Sequence, residues 1–137
     1  MKKLPIIAQE DEVGCSIACV AYITGKTYKE SISLFGLPDK RFKKGYTVKE
    51  IVEALTKAGY TYRSMYVGRL KRLKIETQSI VYVKKCSNFP FGHYLVKIKG
   101  GYMDPWFNLK KMTIIEKAEA GERKRIHGKI VLVIKKL

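Results

Sequence analysis

The first half of the chain carries apolar residues in a pattern typical of helices. Residues 13–24 are apolar on almost every side of a helical projection, which predicts a central, buried helix that ends at Gly25. A buried strand is the alternative, but Ala and Cys dilute the β-branched residues of this run. We therefore predict a helix, preceded at residues 4–8 by a short strand or an extended lead-in.

Two further helices are predicted from capping-box spacings. Thr27 with Glu30 has this spacing and predicts a short helix over residues 28–35. Thr47 with Glu50 has it again, directly before an apolar stripe at helical intervals. The stripe consists of Ile51, Val52, Leu55 and Ala58 and is closed by Gly59.

The second half of the chain changes to shorter runs that are typical of strands. These runs are residues 60–67, 79–84, 93–99, 101–103 and 130–134. Residues 69–77 are predicted to form a loop or a single turn, and residues 108–122 fit a strand, a turn or a helix. Helices first and strands afterwards is the α+β pattern. Because 137 residues suffice for one domain with its own core, we expect a single domain over residues 1–137.

The chain is strongly basic, with 28 Lys and Arg residues against 12 Asp and Glu residues and a net charge of +16 at pH 7. Such a charge attracts nucleic acid, anionic membranes or acidic proteins. The basic residues are spread over the whole chain, and no nucleic-acid-binding motif accompanies them. A solvated basic surface is therefore the preferred interpretation, with an anionic partner as the alternative.

The apolar content of 46% favours a folded domain over a disordered chain. No apolar run approaches the roughly 20 residues that span a bilayer. The N-terminal stretch has too few apolar residues for a signal peptide, and three cysteines argue against a disulfide framework. We therefore expect a cytoplasmic protein without a membrane span.

Four residues that are far apart in the sequence carry the side chains that cysteine-dependent acyl transfer needs. Cys15 would be the nucleophile, because the start of a helix favours a thiolate. His93 would accept the thiol proton, and Asp104 would hold the imidazole in the correct tautomer. Gln9 and the backbone N–H of Cys15 would donate hydrogen bonds to the oxyanion. Cys15, His93 and Asp104 each have an ordinary structural explanation when taken alone, but in this order they predict one active site.

The order of these residues resembles the C39 family of papain-like cysteine peptidases. The similarity covers nearly the whole chain and rests on Gln9 six residues before Cys15, Gly92-His93-Tyr94, Asp104-Pro105-Trp106, Gly45-Tyr46-Thr47 and Gly59-Tyr60. The resemblance implies an α+β, papain-like fold in which N-terminal helices pack on a C-terminal antiparallel β-sheet. It also implies the site roles: Gln9 in the oxyanion hole, Cys15 as nucleophile, His93 as base and Asp104 as the orienting carboxylate.

Two features beside Cys15 bear on its reactivity. The family usually has Gly directly after the nucleophile, whereas this chain has Ser16, whose side chain would narrow the oxyanion site. Glu10, Asp11 and Glu12 come shortly before Cys15, and negative charge raises the pKa of a thiol. We expect these three carboxylates to point to solvent; the alternative is that they bind a basic part of the substrate.

The stretch between His93 and Asp104 is shorter than the usual hairpin of the family. Any two- or four-residue turn keeps both side chains on the same face of the sheet, because strands alternate with a period of two. A two-residue turn at Gly100-Gly101 would place Asp104 opposite Lys97. A four-residue turn over residues 97–100 would instead place Asp104 opposite His93.

A metal site is an alternative use of the cysteines. Cys15 and Cys19 form an i,i+4 pair on one helix, and Cys86 and His93 would complete the ligand set. Structural zinc sites usually contain Cys-x2-Cys pairs, which this sequence lacks. We therefore expect no metal and no cofactor, with Cys19 as a core residue.

These features together predict a stand-alone cysteine peptidase that acts on a peptide or protein substrate. The alternative is a catalytically inactive C39-like fold whose basic surface binds nucleic acid or an acidic protein, and Ser16 and the short hairpin motivate it. A third possibility is deamidation or transpeptidation, because hydrolysis and transfer share the same acyl-enzyme.

Overall fold

The described residues of the N-terminal part of the chain form three helices. The computed structural model describes residues 5–11, 13–36, 45–67, 74–85, 92–109, 114–126 and 128–137. Helix α1 spans Cys15–Thr24, α2 spans Tyr28–Ile32 and α3 spans Val48–Lys57. Over these ranges, the helices are too short and not apolar enough for any of them to cross a bilayer.

Helix α1 is central, as its apolar pattern predicts. Eight of its ten residues are buried, so it has no solvent-facing side that would require polar residues. Gly25 ends the helix with φ 73°, a left-handed conformation that favours glycine, and its N–H donates to the carbonyl of Ala21. The helix begins at Cys15, two residues after the start of the apolar run, because Gly14 is its N-cap.

Both predicted capping boxes are confirmed. The Thr27 hydroxyl accepts the N–H of Glu30, whose carboxylate accepts the N–H of Thr27, and Thr47 and Glu50 repeat the arrangement before α3. Helix α2 nevertheless ends at Ile32, three residues before its predicted end. The N–H groups that follow it bond to carbonyls only three residues back, as in the tight turns that often finish a helix.

In the part of the chain that the structure describes, six strands form one sheet in which every neighbouring pair is antiparallel. They are β1 (Tyr62–Tyr66), β2 (Ile80–Val83), β3 (His93–Ile98), β4 (Gly101–Asp104), β5 (Gly121–Arg123) and β6 (Ile130–Lys136), in the order β1-β6-β2-β3-β4-β5. The predicted strands are all present. The 3₁₀ turn at Ile115–Lys117 and the first two residues of β5 lie in residues 108–122, the segment whose pattern was ambiguous. Residues 74–77, the described part of the loop predicted over residues 69–77, contain no helix or strand.

Hydrophobic side chains cover both faces of the sheet. On one face α1 packs against α2, α3 and β3, and α3 packs against β1. This larger cluster includes Ile17, Val20, Ile51, Leu55, Ile80, Val96, Met103 and Ile134. A smaller cluster on the other face has Val81, Val83, Leu95 and Val133 at its centre. The helices therefore lie against the sheet as an α+β arrangement, which the sequence predicts.

The β3–β4 hairpin has neither of the two registers derived from the sequence. Val96 pairs with Met103 and Ile98 pairs with Gly101, so the connecting turn is Lys99-Gly100. Gly100 takes the turn position that needs positive φ (82°), whereas Gly101 belongs to β4, where a Cβ would collide with the backbone carbonyl of Arg123. Because the two glycines serve different purposes, the turn is not centred between them.

Candidate active site

His93 and Asp104 lie at the same end of the sheet. His93 is the first residue of β3 and Asp104 is the last residue of β4, its antiparallel neighbour. Continuing the hairpin register places Asp104 opposite Leu95, two residues from His93, so the two side chains form a diagonal pair on one face. His93 Nε2 is 2.7 Å from Asp104 Oδ1, and both residues are buried. The predicted shared face is confirmed, while both predicted registers are wrong.

The Asp104 carboxylate is fully buried and accepts two further hydrogen bonds from described residues. The Trp106 N–H donates to Oδ1 at 2.9 Å, and Arg123 Nε donates to Oδ2 at 2.6 Å. Burial alone would raise the pKa of Asp104, but the bonds to His93, Arg123 and Trp106 outweigh it and lower the pKa to about 2. Asp104 is therefore a carboxylate at neutral pH.

Cys15 begins α1 at this same end of the sheet, and its side chain is partly exposed. Its thiol lies beside His93, close enough to shift the pKa of the imidazole. Burial alone would lower the pKa of His93, but the charges of Cys15 and Asp104 and the hydrogen bonds to both residues raise it above its ordinary value of 6.5. A thiol thus lies beside an imidazole that is hydrogen-bonded to a carboxylate, an arrangement that can move a proton from sulfur to nitrogen.

Gln9 is held at the turn that precedes Cys15. Its backbone N–H donates to the carbonyl of Pro105 at 3.1 Å, which ties the N-terminal lead-in to the residue after Asp104. Its side-chain Nε2 donates to the carbonyl of Asp11 at 3.0 Å, and that carbonyl also accepts the N–H of Gly14. The side chain is buried, and these bonds place its carboxamide beside the beginning of α1.

The acidic residues before Cys15 differ in their surroundings. Glu10 is exposed, which confirms the solvent-facing prediction for that residue, and Glu12 lies outside the described residues. The prediction is wrong for Asp11, which is partly buried and accepts a hydrogen bond from the Tyr28 hydroxyl at 2.8 Å. Its carboxylate is therefore bound within the fold.

Two other residues of α1 bear on the choice of nucleophile. Cys19 is fully buried, and burial together with the nearby Cys15 and Asp104 raises the pKa of its thiol well above 9.0. Ser16 is also buried, and within the described ranges its hydroxyl makes no hydrogen bond.

Among the described residues, no group of three or more His, Cys, Asp or Glu side chains is arranged to hold a metal, and Cys86 lies outside these residues.

Sequence reasoning missed two side chains around these groups, Arg123 and Tyr82. Arg123 bonds Asp104, but in the sequence it is one basic residue among 28. Tyr82 and Tyr94 have ring centroids 4.8 Å apart, and burial followed by the charge of Cys15 raises the pKa of both phenols. Tyr94 directly follows His93 and was part of the recognised motif, whereas no signal in the sequence distinguished Tyr82.

Comparison with known proteins gives one family and similar solved structures. A model of the Peptidase C39 family matches residues 3–117. The fold is similar to the peptidase domain of Streptococcus ComA, described as a bi-functional ABC transporter in a quorum-sensing pathway, with a TM-score of 0.61 and 22% identity over 99% of this chain and 98% of that chain. The peptidase domain of Streptococcus mutans ComA gives a TM-score of 0.53 and 22% identity over 99% of both chains. A comparison with curated proteins found no match.

Proposed function

Because this chain belongs to the Peptidase C39 family, we propose that it cleaves peptide bonds through an acyl-enzyme formed on Cys15. Family membership makes it a cysteine peptidase, and the expected α+β fold agrees with that of C39 peptidase domains. The observation that carries the proposal is the buried His93–Asp104 hydrogen bond at one end of the sheet, with Cys15 beside His93. The same observation supports an active enzyme over a binding module that only keeps the fold.

His93 is the general base of the proposed mechanism. Its Nε2 bonds the Asp104 carboxylate, so the Nδ1 atom is the one that serves Cys15. The Cys15 proton moves to this nitrogen, and the sulfur electron pair forms a bond to the scissile carbonyl carbon. Asp104 holds the imidazole in the required tautomer and stabilises the imidazolium.

The carbonyl oxygen of the substrate becomes negatively charged as the C–S bond forms. We assign two donors to it, the backbone N–H of Cys15 and Nε2 of Gln9. The first belongs to the opening turn of α1, where backbone N–H groups have no partner within the helix. The second is positioned by its bond to the Asp11 carbonyl beside the same turn. Hydrogen bonds from such donors stabilise the oxyanion.

The acyl-enzyme then forms and breaks down. The tetrahedral intermediate expels the amine, which takes its proton from the His93 imidazolium, and a thioester remains on Cys15. Water attacks this thioester while His93 accepts a proton from the water. The C–S bond breaks, and Cys15 leaves as a thiolate that receives the proton back from His93. The products are one new carboxyl terminus and one new amino terminus.

The proposal is tested by turnover of a peptide library with mass-spectrometric detection of the products. Replacing Cys15 by Ala removes the nucleophile and should lower turnover by at least about 1,000-fold. Cys19→Ala is the matched control, because it removes a thiol from the same helix that lies one turn away and is buried. It should retain turnover. Full activity in Cys15→Ala, or loss of activity in Cys19→Ala alone, would show that the assignment of the nucleophile is wrong.

A further inference from the structure

Resting on the function proposed above, we infer that Arg123 is a positioning residue for the reaction, because its guanidinium holds the Asp104 carboxylate in the orientation that bonds His93. Arg123 Nε donates to Asp104 Oδ2, while His93 and the Trp106 N–H both use Oδ1. Three donors in different directions leave the carboxylate plane little freedom to rotate.

Strand β5 places Arg123 beside this carboxylate. Asp104 pairs with Gly121 and Tyr102 pairs with Arg123, so Arg123 lies diagonally from Asp104 and on the same face of the sheet. The side chain is 21% exposed, whereas Asp104 is fully buried. The guanidinium therefore extends from the outside toward a carboxylate that solvent does not reach.

The turn after β4 also contacts the Arg123 guanidinium. An Nη atom of Arg123 donates to the Phe107 carbonyl at 3.0 Å, and the guanidinium carbon lies 4.6 Å from the centre of the Phe107 ring. The ring fits because residue 121 is Gly, where a Cβ would collide with Phe107. The planar group of Arg123 thus binds the end of β4 and the following turn together, and a lysine ammonium does not have this geometry.

Arg123 lies beyond the segment that the family model matches, which ends at residue 117. The assignment of Arg123 thus depends on the contacts of this chain. It also gives β5, a strand of only three residues, a direct connection to the chemistry: β5 carries Arg123, Arg123 orients Asp104, and Asp104 orients His93.

The test compares Arg123→Met and Arg123→Lys with Arg125→Met. Arg125 is an exposed cation two residues away and controls for the lost charge. We expect Arg123→Met to lower kcat about 10- to 100-fold, because small displacements of catalytic groups cost rates of this order. KM should stay unchanged, because Arg123 acts through Asp104. Arg123→Lys should recover part of kcat, and Arg125→Met should have wild-type kcat and KM. Rates are normalised to folded protein, measured by circular dichroism below the melting temperature of every variant.

An Asp104→Asn background separates positioning from a purely structural role. Without the carboxylate, adding Arg123→Met should change kcat by less than about threefold, since two residues that act as one unit are not additive. Wild-type kcat in Arg123→Met would overturn the inference, as would an equal loss in both backgrounds. If Cys15→Ala is inactive while Arg123→Met is fully active, only this inference fails; an active Cys15→Ala would refute the proposed function itself.

Discussion

Gly14 is the residue whose small size lets the preceding residues pack against the start of α1. A Cβ at this position would collide with the Tyr28 hydroxyl and would lie 3.2 Å from the Asp11 carbonyl oxygen. That hydroxyl binds the Asp11 carboxylate, and the same carbonyl accepts Gln9 Nε2 and the Gly14 N–H. A glycine directly before Cys15 therefore keeps this thiol and Gln9, the proposed oxyanion donor, in their relative positions.

The prediction for this position is that Gly14→Ala destabilises the protein and slows the reaction. Displacing the Tyr28 hydroxyl should lower the free energy of unfolding by about 1–3 kcal/mol, the usual cost of overpacking. Urea unfolding measures this change, and peptide turnover measures the loss of kcat/KM. Gly36→Ala is the matched control, because the nearest atom of the described residues to its new Cβ is Lys57 Nζ at 4.0 Å. Equal stability in the two variants would contradict the account.

At the residue scale, the sequence indicates side chains with recognisable chemistry, but it does not indicate their distant hydrogen-bond partners. Gln9, Cys15, His93 and Asp104 were predicted as site residues because their side-chain chemistry and motif context are visible in the sequence. Tyr28 and Arg123 were not found, because they act through hydrogen bonds across 17 and 19 residues of sequence. No periodicity marks a partner at such a separation. The binding of Asp11 was missed for the same reason.

The elements that matter most for the site are β3 and β4, joined by the Lys99-Gly100 turn. The sequence correctly predicted that His93 and Asp104 share a face. Side chains alternate along each strand, so this result needs only an even number of residues in the turn and not its exact position. The register depends instead on which glycine enters the turn. Gly101 is required in β4 by its close contact with the backbone of β5, a strand that the sequence pattern did not reveal.

The His93–Asp104 pair, which these two strands bring together, makes the stability of the fold depend on pH. The pKa of Asp104 is about 2 in the folded protein against 3.8 ordinarily, so the native state binds this proton more weakly than the unfolded state. The stabilisation is therefore fully present above pH 3.8 and is lost as the pH falls through about 2. For His93 the sign is opposite: its raised pKa stabilises the fold below pH 6.5 and ceases to do so at alkaline pH.

We predict that Asp104→Asn removes the acid part of this dependence. The difference in unfolding free energy between wild type and Asp104→Asn should shrink as the pH falls from about 4 to about 2, because only the wild type carries a carboxylate that binds a proton less readily in the folded than in the unfolded state. Urea unfolding at several pH values gives the difference. Exposed Glu76→Gln serves as the control for a general loss of charge. A difference that stays constant over this range would contradict the assigned role of the carboxylate.

At the scale of the whole molecule, the α+β class and almost all elements were predictable, but the order of the strands was not. Strand β6 lies between β1 and β2, far from both in sequence, because pairing is decided by burial of long-range neighbours. Strand β5 is Gly-Glu-Arg and has none of the β-branched or aromatic residues that mark a strand. The helices carry strong local signals, two capping boxes and one wholly apolar run, which is why all three helices of the described residues were predicted while β5 was not.

The whole fold brings the N-terminal lead-in, the start of α1 and the ends of β3 and β4 together at one end of the sheet. The central claim is that His93 activates Cys15 at that place. Alkylation by iodoacetamide near pH 6, followed cysteine by cysteine with mass spectrometry in wild type and His93→Ala, tests it most directly. The account predicts rapid modification of Cys15 in the wild type and a rate at least about 100-fold lower in His93→Ala, the usual contribution of a general base. An unchanged Cys15 rate in His93→Ala, or equal rates at Cys15 and Cys19 in the wild type, would contradict it.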